Sequence, residues 1–344
     1  MGKIHMNLGA HILRRLLLVI PMLVGVTLLT FVVSHMVPAN PLSLILSEKA
    51  MENPEIVKAT VEKWGLDKPL PEQYLYYMWN LAHGDLGISF RNKRPVSQDL
   101  AQYLPATVEL ALASMLFALG FGLPLGVLAA LNAGKWPDHV ARFVSVLGAS
   151  MPPFWSGLML LFIFYDRLNI LPGPGRLDTR MTEPHAVTGM YLVDSLLAGD
   201  MATFMSAAQH LILPSIILGW FTLALISRIT RTSLLEVLSA DYIRTARAKG
   251  LKEWTVVMTH ALRNALIPTV TLFGLAFAGL MTGAIMTETI FSWPGIGRYA
   301  VEAASNLDYP AVLGTSLLIA VIYMLTNLVV DILYGIIDPR IREV

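Results

Sequence analysis

The stretch LLLVIPMLVGVTLLTFVVSHMV, residues 16–37, decides the fold class. It contains no Lys, Arg, Asp or Glu. At about 20 apolar residues it matches what a helix needs to cross a hydrocarbon core, where the backbone finds no outside hydrogen-bond partner. Arg14 and Arg15 precede it, as they would in a secretory signal. The run is longer than the roughly 7–15 residues of a signal core, and no A-x-A site follows, so it reads as a permanent helix.

Five further stretches meet the same test: Ala106–Leu131 with one charge at Glu109, Val140–Tyr165 with Arg142 near its start, Leu211–Ile226, Leu266–Met286, and Ala311–Ile337 with Asp331. The composition agrees. Of 344 residues, 55% are hydrophobic and 14% charged, against about 45–50% and 25% in a soluble domain, and mean hydropathy is +0.60. The chain reads as an all-α polytopic membrane protein with six transmembrane helices. It has no cysteine, which excludes disulfide scaffolds, zinc-thiolate sites, iron–sulfur clusters and cysteine nucleophiles. A net charge of +1 gives no support to nucleic-acid binding.

The Lys/Arg bias sets the orientation. Between the fourth and fifth stretches lie Arg228, Arg231, Arg244, Arg247, Lys249, Lys252 and Arg263 against Glu236, Asp241 and Glu253. Segments 166–209 and 287–310 are mainly acidic. The basic side is therefore expected in the cytoplasm, with both termini. The chain divides into a cytoplasmic N-terminus and first helix (1–37), an outside helical segment (38–104) and a core (105–344) with a cytoplasmic loop at 229–263. In the outside segment, Asn53-Pro54 predicts a helix start and Gly65 its stop, with Ile56, Val57, Thr60, Val61 and Trp64 on one face. A second helix is expected from near Pro71 through Tyr74, Leu75, Met78 and Trp79 to Gly84, its aromatics at the membrane interface.

The 229–263 loop carries the sharpest pattern. Ser233-Leu-Leu-Glu236 is a capping-box sequence, which predicts a helix start. Leu234, Leu235, Val237, Leu238, Tyr242 and Ile243 form an apolar face, Arg244, Arg247 and Lys249 supply charge, and Gly250 suits a left-handed helix stop. Such a basic amphipathic stretch of about four turns suits either an interfacial helix on anionic lipid or a lever set into a cytoplasmic partner.

At this point the sequence resembles a family. Asp241-Tyr-Ile-Arg-Thr-Ala-Arg-Ala-Lys-Gly250-Leu is similar to the cytoplasmic EAA-type loop of permease subunits of binding-protein-dependent ABC importers. More specifically, it is similar to the dipeptide/oligopeptide/nickel branch, first subunit, dipeptide permease B type. Four other pieces resemble that branch in order along the chain: Leu13-Arg-Arg-Leu16 into Ile20-Pro21; Leu66-Asp-Lys-Pro-Leu with His83-Gly-Asp-Leu-Gly-Ile-Ser89; Glu288-Thr-Ile-Phe-Ser-Trp-Pro-Gly-Ile-Gly297 with Asp308-Tyr-Pro310; and Asp331-Ile-Leu-Tyr with Asp338-Pro-Arg-Ile-Arg342. There are departures. Pro38-Ala-Asn-Pro41 stands where the family often has Pro-Gly-Asp-Pro, Arg244-Thr-Ala246 replaces the EAA triplet, and the proline beyond Gly250 comes late, at Pro268. The last two are usual in the peptide branch.

The resemblance implies the type I importer permease fold and half of a translocation pore in a bacterial inner membrane. A second homologous permease completes the pore, two ATPase subunits hold ATP and Mg, and a periplasmic substrate-binding protein delivers peptide, or in close relatives nickel complexes or glutathione. This chain itself is expected to bind no cofactor: it lacks the G-x-x-x-x-G-K-[ST] phosphate loop. Asp241, Tyr242, Arg244, Thr245, Ala246, Arg247 and Gly250 are the expected coupling element. Arg244 and Arg247 would form ion pairs with the ATPase groove, and Thr245 and Ala246 would allow close approach. ATP-driven motion of this element would rock the helices between inward- and outward-facing states.

Glu109 and Asp331 are costly within a membrane and are expected either to pair with a helix of the second permease or to snorkel toward water. Gly122-x-x-x-Gly126 and Gly279-x-x-x-Gly283 allow close helix packing, Pro124 and Pro214 can kink their helices, and Met151-Pro-Pro-Phe154 can break the third span. His5, His11 and His35 match no metal-ligand spacing. A stand-alone secondary transporter would require more intramembrane charge and an inverted repeat. An intramembrane enzyme would require a motif such as H-E-x-x-H or G-x-S-x-G, and neither occurs.

Overall fold

The computed structural model describes residues 8–36, 42, 46, 48–65 and 67–337, with the side chains of 8–16, 63–64, 271, 283 and 331–337 excepted. Pro38–Pro41, Asp338–Arg342 and His5, together with the side chains of Arg14, Arg15, His11 and Asp331, lie outside the described residues. Among the described residues the only β pairing is a single antiparallel bridge between Ile88 and Pro95. The chain is a multi-pass helical membrane protein.

The first long helix, α1, is Leu8–Met36. A single helical turn at Glu48–Met51 follows, then two longer helices. In α2, Pro54–Trp64, the Asn53 side chain accepts from the Glu55 amide and Gly65 closes the helix at φ 61°. The second, α3, is Leu70–Ala82. One of its aromatics packs within the chain. Tyr74 donates to the Val24 carbonyl at 3.2 Å and meets the Thr27 hydroxyl at 3.1 Å, so α3 lies alongside α1.

Next come α4, Val96–Leu131, α5, Trp136–Ser150, and α6, Pro153–Leu160, which runs on as a π-helical stretch to Arg167. Helices α5 and α6 meet at 107°. The sequence Met151-Pro152-Pro153 explains the break, because two prolines remove two donors and push the residue before each toward extended backbone; Met151 has ψ 130°. The expected third span is thus two near-perpendicular helices.

A short α7, Tyr191–Leu197, precedes α8, Met201–Leu238, a single helix that passes Pro214 without a break. Asp200 caps it, accepting from the Thr203 amide at 3.1 Å and hydroxyl at 2.6 Å. This corrects the reading of Ser233–Glu236 as a helix start: Ser233 is inside α8. Leu234, fully buried against Ala130 of α4, keeps the helix going past the apolar run. The chain turns extended at Ala240, and a separate two-turn helix, α9, covers Asp241–Ala248. Then α10 opens at Glu253–Thr255, passes through a π-helical stretch at Val256–Ala261 and ends at Leu262–Ala265. It bends by 45° into α11, Ile267–Gly283. Finally come α12, Ile285–Ile290, α13, Ile296–Ser305, and α14, Tyr309–Ile337. Helices α1, α4, α8 and α14 each contain an apolar stretch long enough to span alone, and the two bent pairs bring the count to six.

The centre of the bundle is the α4–α8 contact. A Cβ on Gly122 would stand 3.0 Å from the Leu223 carbonyl, one on Gly126 2.6 Å from that of Ser227, and one on Gly219 2.5 Å from that of Ser114. Glycine at these three positions lets two backbones approach closely. Gly122-x-x-x-Gly126 is therefore packing within this chain, whereas Gly279 on α11 has nothing within contact of its missing side chain.

Candidate functional site

The basic end of the bundle is built around α9. Ile243 and Ala246 are buried with Leu234 of α8, Ala130 of α4, and Val256, Ala261 and Ala265 of α10. Only these two residues of α9 face inward; Asp241, Tyr242, Arg244, Thr245 and Arg247 face outward. Ala246, expected to ease the approach of a partner, instead seats the helix on its own bundle. The outward charges are lightly engaged. Arg244 lies 3.3 Å from Asp241 one turn back, with 73% of its side chain exposed. Arg247 pairs with Glu253 at 2.7 Å, also at the surface. The Thr245 hydroxyl donates to the Asp241 carbonyl at 3.0 Å, and Asn264 donates to the Tyr242 hydroxyl at 2.9 Å. Gly250 takes φ 76°, the left-handed stop expected there.

A second pair at this end was not legible as a site. Asp138, the third residue of α5, is fully buried. Its carboxylate accepts from Arg231 of α8 through Nε at 2.7 Å and Nη2 at 2.9 Å, from the Gly134 amide at 2.9 Å, and has Arg142 3.4 Å away.

The opposite end is built differently. Glu109, exposed by 5%, meets the Arg176 guanidinium at 2.5 Å and accepts from the Leu192 amide at 2.7 Å. Arg176 lies 3.6 Å above the Tyr191 ring and donates to the Gly189 carbonyl. Glu109 does pair, but with an arginine of its own chain rather than with a second subunit. The backbone of Asp331 lies within α14.

The segment 288–308 explains its own motif. Glu288 is completely buried. It accepts from the Thr107 hydroxyl at 2.6 Å and the Arg298 amide at 2.9 Å, a carboxylate set at the start of α13 where free amides collect. A Cβ on Gly295 would run into that carboxylate and one on Gly297 would lie 2.9 Å from it, so both glycines make room for an acid. Burial pushes the Glu288 carboxyl above the ordinary carboxylate range, against the opposing pull of these hydrogen bonds. Trp293 donates from its indole to the Ala106 carbonyl at 2.8 Å.

Asp308, also buried, ties the 88–91 turn to the start of α14: it accepts from the Ser89 hydroxyl at 2.5 Å and from the amides of Phe90 and Arg91 at 3.0 and 3.2 Å. Glu302 holds Arg91 and Arg298 at 2.6 and 2.9 Å. Burial would raise its pKa, but the two guanidinium bonds outweigh that and hold it below the usual range. The sequence reading quoted Glu288 and Asp308 only as parts of a motif and did not single out Arg176. The Trp-Pro-Gly-Ile-Gly run beside Glu288 was the available signal, since glycines so spaced mark a close approach.

Two family models match the chain. The binding-protein-dependent transport system inner membrane component matches residues 122–343, and the N-terminal membrane component of the same transport systems matches residues 8–111. The dipeptide transport system permease protein DppB of Escherichia coli K12 is 47% identical over 96% of this chain and 98% of its own length. The di/tripeptide transport system permease protein DppB of Pseudomonas aeruginosa is 49% identical over 97% and 99%. The glutathione transport system permease protein GsiC of Escherichia coli is 39% identical over 96% and 98%. With both halves matched and relatives aligned end to end, the chain belongs to the inner-membrane permease family of binding-protein-dependent ABC transport systems.

Proposed function

We propose that this chain is one permease subunit of an ABC importer that carries di- or tripeptides across a bacterial inner membrane, with both termini in the cytoplasm. A second homologous permease completes the pore. Two ATPase subunits hold ATP and Mg and supply the energy, and a periplasmic binding protein delivers cargo; this chain catalyses no reaction of its own. Peptide is favoured as cargo because the dipeptide permeases are more similar to this chain than the glutathione permease is.

The observation that carries the coupling role is the two-sidedness of α9. An interfacial helix must offer apolar residues to the acyl chains. In α9 those residues, Ile243 and Ala246, are already occupied by the bundle. What remains outward is a polar, mainly basic surface with Tyr242, Arg244, Thr245 and Arg247, suited to a protein groove. The ion pairs it makes within the chain are exposed and of small worth, about 0–1 kcal/mol each, so a partner can exchange them at little cost.

Affinity purification in mild detergent tests the reading. A second permease and two Walker-motif ATPases should co-purify, and liposomes containing the assembly and its binding protein should take up labelled dipeptide only with ATP. A chain that runs alone and moves solute without ATP would replace this reading with a secondary transporter. Glutathione taken up in preference to dipeptide would change the cargo alone.

A further inference from the structure

Resting on the importer reading, we infer that Asp138 and Arg231 are positioning residues that make the broken third span follow the coupling helix. Arg231 stands on α8 three residues before Leu234, the residue on which Ile243 and Ala246 of α9 are seated. A displacement of α9 therefore reaches α8 immediately below Arg231. The bidentate guanidinium–carboxylate contact at 2.7 and 2.9 Å then passes it to α5, since a two-bond fork fixes direction as well as distance.

A second contact keeps α5 aligned with α8 farther along. The Trp220 indole donates to the Val144 carbonyl at 3.3 Å and occupies the space where Gly148 would otherwise carry a side chain. Held at both levels, α5 moves with α8 as one piece. The next compliant point is Met151-Pro152, where the chain turns by 107° into α6 and where backbone hydrogen bonds are already interrupted by the two prolines. Motion entering at α9 is thus delivered to α6 as a change of angle at that break. The α4–α8 glycine contacts and the buried carboxylates of the opposite end leave less room for it to dissipate there.

The remaining charges on Asp138 fit a joint that must not slip. Arg142, on α5 itself, is 3.4 Å away and shares its guanidinium with His139 at 3.0 Å, so it stabilises the carboxylate without bridging helices. The bridge between α5 and α8 falls to Arg231.

The test is the ratio of ATP hydrolysed to dipeptide imported, measured in proteoliposomes holding the whole transporter with its binding protein. Arg231→Lys keeps the charge but loses the fork, and Asp138→Asn keeps the shape but loses the charge. Each is expected to raise that ratio by about fivefold, the scale of a coupling-network substitution, while ATP hydrolysis persists.

If both single variants lower hydrolysis and uptake in proportion, or leave both unchanged, the inference is overturned. Should Asp138→Asn fail to assemble, Arg231→Lys alone decides by the same ratio. An unmodified assembly that shows no ATP-dependent uptake fails the importer reading itself. An unmodified assembly that couples normally beside variants with an unchanged ratio fails only this inference.

Discussion

The coupling helix α9 and the far end of this bundle hold their charges in opposite ways. At the end of Glu109, Asp308 and Glu288, carboxylates are buried and joined to partners far away in sequence: Thr107 to Glu288, Ser89 to Asp308, Glu109 to Arg176. On α9 itself, the helix is seated by apolar residues and its charges lie on the surface, paired with near neighbours at Asp241 and Glu253; the buried pair at that end, Asp138 with Arg231, joins α5 to α8 beneath it. A buried charge pair resists separation because either half left alone is heavily penalised. An exposed local pair separates at little cost. The first arrangement suits a face that keeps its shape, and the second suits a face that another protein must grip.

The difference is open to attack in order of effect. Arg176→Ala leaves Glu109 buried without its cation and should destabilise the chain by about 3–5 kcal/mol, read as a fall in thermal midpoint of the purified protein in detergent. Ile243→Ala removes the main anchor of α9, at a cost of about 2–4 kcal/mol. The loss should be local: amide exchange across 241–250 should speed up while residues 288–308 remain protected. Gly295→Ala drives a methyl into the Glu288 carboxylate and should cost about 1–3 kcal/mol, this time loosening 288–308 and sparing α9.

Acid should loosen particular segments. Asp194 is buried, which raises its pKa, yet bonds from Thr188, Gly189 and Val187 outweigh that and lower it; Glu302 is lowered by its two arginines despite burial. Folded values below the unfolded ones give stability that is present above about pH 4 and lost as pH falls from there. Amide exchange in segments 187–194 and 298–308 should therefore accelerate on acidification. Glu288, shifted upward, works in the opposite sense and should not contribute to that loss.

Smallest in stability is Arg247→Glu, expected to change the unfolding midpoint by less than about 0.5 kcal/mol equivalent. It should nonetheless reduce ATP-driven uptake, because it places a negative charge beside Glu253 on the face offered to the partner. Normal uptake in that variant would remove Arg247 from the coupling surface.

Helical class and the approximate place of the spans were legible because they follow from apolar length alone, which lipid enforces residue by residue. The caps at Asn53 and Gly65 were legible for a similar reason, being local backbone chemistry. What escaped was long-range. Ser233-Leu-Leu-Glu236 has the pattern of a helix start, but burial of Leu234 against α4 overrides it and carries α8 through. The burial of Ala246 was not legible because its neighbours, Val256 and Ala265, belong to a helix whose position the loop sequence does not encode. Asp138 stands in the first turn of α5, where an acid is ordinary, and only the packing of α5 on α8 makes it a buried carboxylate. Arg176 lies 67 residues from Glu109, a pairing that periodicity cannot reveal.

The absence of cysteine from the chain permits a direct test of whether α9 is the coupling element. Arg244→Cys, carrying a maleimide–benzophenone probe in the transport-competent assembly, should on illumination attach to an ATPase subunit, while the same probe at Glu302→Cys should not. Attachment from position 244 to lipid alone, or to no ATPase subunit in an assembly that still imports dipeptide, would contradict the assignment of α9 as the point where ATP-driven motion enters this chain.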